Sequence, residues 1–199
     1  MLFSVNIHPG KTGAKFKTIF LGKSLPSSKK SSQLIKWFRA FDEIGLAPEY
    51  KIGSSGNLSF RHKGGFFIKS TRTYFRSIKE EELVYVKSFD FDKKIAYVYG
   101  KLEPSTELQM HHLIYKNKKS INAIFHLHDY KIMEKAKKYK IPITKVTRAG
   151  TEKIGLDVLR VMDGKMFVIM KDHGVVAAGS TIDNAGKAVL KYHRFALDL

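Results

Sequence analysis

The sequence predicts a layered α/β or α+β domain. Three observations carry that prediction: short β-prone runs separated by turn residues, longer apolar patterns with helical spacing between them, and enough apolar side chain for one core. Of 199 residues, 43% are hydrophobic and 14 are Phe, which excludes a mainly disordered chain. The length suits one well-buried domain.

Residues 1–23 read as a strand-rich arm, with Phe16, Ile19, Phe20 and Leu21 as its apolar content. Lys23 to Ser32 (KSLPSSKKSS) is a polar connector, so an arm and connector over residues 1–30 precede a main domain over 31–199. A helix is expected from about Ser32, because Leu34, Phe38 and Phe41 keep helical spacing and Gly45 is a natural stop. Trp37 is read as core. Leu58 to Arg61, Gly65 to Ile68, Leu83 to Val86 and Ile95 to Tyr99 are strands between Gly, Lys and Asp turns.

Pro104-Ser105 is expected to open a helix reaching about Tyr115, capped by Ser105 or Thr106. Ile121 to His128 reads as a strand, Lys131 to Tyr139 as a short basic helix and Ile141 to Val146 as a strand. Thr151 caps a helix to about Val161. Met166 to Met170 and Gly174 to Ala178 are strands about a sharp turn, and Thr181 caps a last helix through Phe195.

The chain carries 36 basic and 18 acidic side chains, a net charge of +18. Such a field attracts nucleic acid, acidic membranes or phosphorylated small molecules. The lysines are spread along the chain, and no aromatic stripe, Cys/His finger or helix-turn-helix accompanies them. They read as solvated faces with at most weak, salt-sensitive affinity for nucleic acid. No apolar run is long enough to span a membrane, and His8-Pro9-Gly10 breaks the N-terminus too early for a signal peptide. The absence of cysteine excludes disulfides, thiolate ligands and thiol nucleophiles, and makes a cytoplasmic enzyme the expectation.

The strongest local signal is Asn122-Ala-Ile-Phe-His126-Leu-His128-Asp129. On a strand, His126 and His128 share a face, with Cα atoms roughly 6 to 7 Å apart. That spacing lets two imidazoles converge on one ion, and it equally suits two histidines bonded to their neighbours. His173 lies in a polar Asp-His-Gly turn between two apolar strands, exposed enough to bind and rigid enough to be aimed. Three imidazoles with an open fourth position would make a catalytic zinc arrangement. Glu107 is expected in the first turn of its helix, where the positive end of the dipole favours a carboxylate, either as catalyst or as a capping residue. His111, one turn on, orients that carboxylate or packs against the core.

Four blocks in order resemble the class II aldolase/adducin family across roughly residues 33–196. They are Gly53-Ser-Ser-Gly-Asn57-Leu-Ser59, Pro104-Ser-Thr-Glu107 with Met110-His111, His126-Leu-His128, and His173-Gly174 with Val-Val-Ala-Ala-Gly after it. The resemblance implies a layered α/β/α domain with a largely antiparallel central sheet. It implies that His126, His128 and His173 hold one Zn2+ and that Glu107 is the catalytic acid/base. It also implies a phosphate site from Ser55, Gly56, Asn57, Thr71, Ser105 and Thr106, residue types suited to an anion at a helix start. The implied reaction is cleavage of a ketose phosphate through a metal-stabilised enediolate in a homotetramer, with epimerase, dehydratase or adducin-like binding as alternatives on the same scaffold. No Schiff-base lysine is required, and no lysine stands out as desolvated by its sequence neighbours.

The sequence departs from the family pattern at Lys69-Ser-Thr71-Arg72, where Thr-Pro-Ser-Gly is common, so that Lys69 and Arg72 either add phosphate contacts or mark a different loop, and at Leu108, where an aromatic often follows the glutamate. Family aldolases often draw a catalytic tyrosine from a tail beyond the position of Leu199, which leaves Tyr130 and Tyr139 as candidate proton donors.

Overall fold

The computed structural model describes residues 15–145 and 149–198. The His8-Pro9-Gly10 break, and Val146 at the end of one expected strand, lie outside them. Ten strands and five α-helices follow one another along the described chain: β1 (Lys17–Gly22), α1 (Lys30–Glu43), β2 (Glu49–Tyr50), β3 (Gly53–Ser54), β4 (Asn57–His62), β5 (Gly65–Lys69), β6 (Leu83–Asp90), β7 (Ile95–Tyr99), α2 (Leu108–Asn117), β8 (Ala123–Leu127), α3 (Tyr130–Glu134), α4 (Glu152–Val161), β9 (Phe167–Met170), β10 (Gly174–Gly179) and α5 (Ile182–Leu197). Eight strands form one sheet in the order β1-β7-β6-β5-β4-β8-β10-β9, and β2 pairs only with β3. Every pairing in the large sheet is antiparallel except that of β1 with β7.

The alternation along each strand divides the core into two layers. On one face Leu58, Phe60, Phe67, Phe125, Leu127, Val175 and Ala177 pack against α1, α3 and α5 through Leu34, Phe38, Phe41, Ile132, Ala185 and Val189. On the other, Ile68, Val84, Val98, Ile124, Val168 and Val176 pack against α2 and α4 through Met110, Ile114, Ile154 and Val158. The architecture is the α/β/α layering that the resemblance implied. Trp37 bridges α1 and α5: its ring lies 5.3 Å from that of Phe41, and its Nε1 donates to Asp183 Oδ1 at 2.9 Å. It is a core residue with its polar edge satisfied.

Local signals act largely as expected. The Thr181 hydroxyl accepts from Asn184 N at 3.0 Å and caps α5. The connector is shorter than expected, since α1 begins at Lys30, and the arm contributes β1 to the sheet edge. Two elements differ more. The basic helix closes at Glu134 and continues as turns. The strand expected over Ile141 to Val146 is a single bridge, Ile143 to Ile169. Among the described residues no helix is long and apolar enough to cross a membrane.

Candidate metal centre and active site

His126 lies on β8 opposite Val176 of β10 and Asn57 of β4, so two neighbouring strands frame it. Alternation turns its side chain toward the α2 and α4 layer. His128 follows one residue beyond the end of β8, where its backbone N–H donates to Leu46 O at 3.0 Å. His173 closes the β9–β10 turn, its N–H donating to Met170 O at 3.0 Å. The three rings meet at centroid distances of 5.0, 5.0 and 5.1 Å.

Gly174 makes that approach feasible: a Cβ there would meet Leu127 O at 2.4 Å and His126 Cε1 at 2.8 Å. Gly56 brings the loop before β4 equally close. It holds φ +77°, and a Cβ would lie 2.6 Å from His126 O.

One nitrogen from each of His126, His128 and His173 lies within 4.8 Å of the others, a set that can hold a metal ion. His126 is fully buried. Its Nδ1 lies 3.0 Å from Val175 O, so Nδ1 carries the hydrogen and donates. Its Nε2 lies 3.0 Å from Glu107 Oε2 but has no aligned hydrogen-bond partner. A buried nitrogen in that condition, beside two further imidazoles and a carboxylate, is a donor set suited to a divalent cation.

Glu107 faces this cluster. Its Oε1 lies 3.0 Å from His173 Nε2, and its Oε2 accepts from Asn57 Nδ2 at 3.0 Å. Burial alone would raise its pKa. Attraction to the His126 and His173 rings, with the hydrogen bond to His173, outweighs burial and holds the carboxyl well below its usual range. Burial pushes His128 well below the ordinary histidine value, whereas for His173 the carboxylate overcomes burial and raises it.

Glu107 occupies the cap position of α2, not the first turn as expected. The preceding residues are drawn to the sheet: Ser70 bridges Pro104, Thr71 N donates to Glu103 O at 2.8 Å and Ser105 N to Lys69 O at 3.0 Å. Ser105 and Thr106 therefore lie before the helix. Ser105 Oγ accepts from Glu107 N at 3.4 Å.

The loops carrying Ser55, Gly56, Asn57, Thr71, Ser105 and Thr106 are joined to one another beside the histidines. The amides of Ser55, Thr71 and Ser105 are engaged by Pro48, Glu103 and Lys69 carbonyls, and the Ser55 hydroxyl also donates to Pro48 O.

Lys69, singled out in the sequence as a candidate phosphate contact, is buried under its own loop. Its Nζ donates to Ser54 O and Thr73 O at 2.9 and 3.0 Å, over the Phe75 ring, with 3% of the residue exposed. Desolvation lowers its pKa to about 8, against smaller opposing effects of Glu107 and Glu82. It ties the loop before β4 to the loop after β5. His111 packs instead of touching Glu107, and its Nδ1 lies 2.7 Å from Ser59 Oγ. Tyr139 is committed elsewhere, donating to Phe195 O at 2.9 Å while stacked on that ring. Tyr130 stands beside the cluster, its hydroxyl 3.2 Å from His128 Nδ1.

Comparison with known proteins places this arrangement. An L-fuculose phosphate aldolase of Methanococcus maripaludis (strain C5) is 30% identical over 152 residues, covering 69% of this chain and 79% of the relative. A 5-methylthioribulose-1-phosphate/5-deoxyribulose-1-phosphate aldolase of Rhodospirillum rubrum is 22% identical over 160 residues, covering 72% of this chain and 70% of the relative. Among solved structures, a sugar-phosphate aldolase from Thermotoga maritima shares the fold with a TM-score of 0.73 at 18% identity, over 85% of this chain and 93% of that one. Residues 32–197 match the family described as Class II Aldolase and Adducin N-terminal domain. With that match spanning both core layers and the histidine cluster, the chain belongs to the class II aldolase and adducin family.

Proposed function

We propose that this protein is a zinc-dependent sugar-phosphate aldolase, a lyase that cleaves a ketose phosphate. Family membership makes it an aldolase-like lyase of the metal-dependent class. The observation that carries the reading is the carboxylate of Glu107 set 3.0 Å from the Nε2 atoms of both His126 and His173. A general acid/base must stand within reach of the reacting carbon while the group stabilising the developing negative charge stands beside it.

His126, His128 and His173 would hold the metal, leaving a position for substrate oxygen. Zinc bound there supplies Lewis-acid polarisation of the substrate carbonyl and stabilises the charge that develops on its oxygen. In the cleavage direction the bond between the carbons α and β to the carbonyl breaks. The β-hydroxyl gives up its proton and becomes an aldehyde, and the α carbon takes a proton. Glu107, ionised at rest, takes up the released proton and carries it to that carbon, and the Asn57 amide, donating to Oε2, holds the carboxylate in position.

Thr71, Ser105 and Thr106 would meet the substrate phosphate through their side chains, because the amides of Thr71 and Ser105 are already engaged. Gly56 lets backbone approach the anion, and the overall +18 charge favours a phosphorylated ligand. The assembly in this reading is a cytoplasmic homotetramer.

The test is metal analysis of the purified protein, followed by a screen of ketose 1- and 5-phosphates for release of a three-carbon phosphate. Stoichiometric zinc with that product is expected. Protein that neither retains nor takes up zinc would overturn the reading.

A further inference from the structure

The imidazoles of the cluster are steadied from behind in different ways. His126 has its Nδ1 against a backbone carbonyl of the sheet, Val175 O at 3.0 Å. His128 lies past the end of β8 and has its Nδ1 against a side chain, the Tyr130 hydroxyl at 3.2 Å. The two rings stand edge to face, 6.0 Å between centroids and 81° between planes.

Tyr130 is the first residue of α3, and that helix is fixed at its start by Asp129, whose carboxylate accepts from Ile132 N at 3.2 Å. The other oxygen of Asp129 lies 2.8 Å from His193 Nδ1 on α5. The Tyr130 hydroxyl also faces Tyr50 of the β2–β3 hairpin, whose proximity adds to burial in raising its pKa. That hairpin is held in turn by the Tyr74 hydroxyl, which donates to Lys51 O at 3.0 Å.

A phenol has one hydrogen to give and an oxygen that accepts. A cation held at Nε2 needs the lone pair there, which leaves the hydrogen on His128 Nδ1 and makes the Tyr130 oxygen its acceptor. His126 is set in that same form by Val175. A histidine ligand works in this way: the hydrogen bond made by one nitrogen decides which nitrogen is free for the metal and where it points.

We propose that Tyr130 is a positioning residue for the metal centre, its hydroxyl fixing the tautomer and ring angle of His128 so that Nε2 faces the cation. The proposal rests on the zinc reading of the three histidines and adds a residue that the histidine spacing does not contain. It differs from a proton-donor role for Tyr130, because the hydroxyl acts through His128 and not on substrate.

The test compares the wild type with Tyr130→Phe, which keeps the ring and its edge contact and removes only the oxygen. Zinc affinity is measured by competition with a chromophoric chelator, and the His128 tautomer by 15N NMR of the zinc-free protein. The expected result is roughly 10- to 100-fold weaker zinc binding, together with a shift of His128 from the Nδ1–H form to a mixture. The zinc-free melting temperature should stay close to the wild-type value, which separates positioning from a folding defect. Equal zinc affinity in the two proteins, or an unchanged His128 tautomer, would overturn the proposal and leave the zinc reading intact. A wild type that binds no zinc would instead remove the metal reading itself.

Discussion

Nε2 of His173 lies 3.0 Å from Oε1 of Glu107, joining the β9–β10 turn to the start of α2 across 66 residues of sequence. The carboxylate and the imidazole have separable duties in the proposed reaction. His126→Ala and His173→Ala are expected to abolish zinc retention after gel filtration. Glu107→Gln keeps the shape and the Asn57 neighbour; it should retain zinc while kcat falls by about 10²–10⁴. Full turnover by Glu107→Gln on an identified substrate would show that the acid/base is another group.

Gly174→Ala tests the close approach of β10 to the histidines. Its Cβ would sit 2.4 Å from Leu127 O and 2.8 Å from His126 Cε1, and the nearer obstacle is backbone that cannot swing aside. The change should cost about 1–3 kcal/mol in chemical denaturation. It should also weaken zinc binding, because the displaced ring is a ligand. Ala at Gly164, where a Cβ would meet nothing within 4 Å, is the comparison for a glycine in open space; its φ of +64° adds only backbone strain. Equal losses of zinc affinity in the two variants would refute the crowding argument.

Much of this arrangement was legible because it is written locally. Strands β4 to β7 are β-prone runs set between turn residues, α5 announces itself at Thr181, and His126 and His128 share a face by the period of a strand. The tertiary part was not legible. Glu107 became a cap and not a first-turn residue because Ser70 and Lys69 draw Pro104 and Ser105 onto the sheet. The Asn57 contact to Glu107 crosses 50 residues, and no spacing rule reaches that far. The burial of Lys69, a candidate phosphate contact in the sequence, was not legible, because what desolvates it, the Ser54 and Thr73 carbonyls and the Phe75 ring, assembles only on folding.

Ser59 tests the polar cluster behind the site. Its hydroxyl meets His111 Nδ1 at 2.7 Å and Tyr115 Oη at 2.8 Å, all buried. Ser59→Ala removes one oxygen and strands two polar groups away from water. A loss of about 1–3 kcal/mol is expected, larger than for Ser59→Ala combined with Tyr115→Phe and His111→Leu, where the stranded groups are gone as well. Denaturant midpoints measure both, and a triple variant less stable than the single one would refute the argument.

His111 also sets an acid limit on the fold. Burial lowers its pKa to about 3; the nearby Glu107 charge opposes that shift and His126 adds to it. An unfolded chain would protonate the ring near 6.5. Between those values the unfolded state binds the extra proton, so stability rises with pH across the window. It is fully present above about 6.5 and is lost as pH falls toward 3. At pH 4.5 the deficit from this residue alone should be about 3 kcal/mol relative to pH 8. His112, lowered to about 4 by burial and by Lys116, acts in the same direction. Denaturant unfolding of wild type and His111→Gln between pH 8 and pH 4.5, with excess chelator to remove any metal contribution, isolates the effect. The variant should start less stable at pH 8 and lose less on acidification, so the two curves converge. Parallel curves would mean that His111 is protonated in the native state, in spite of its burial.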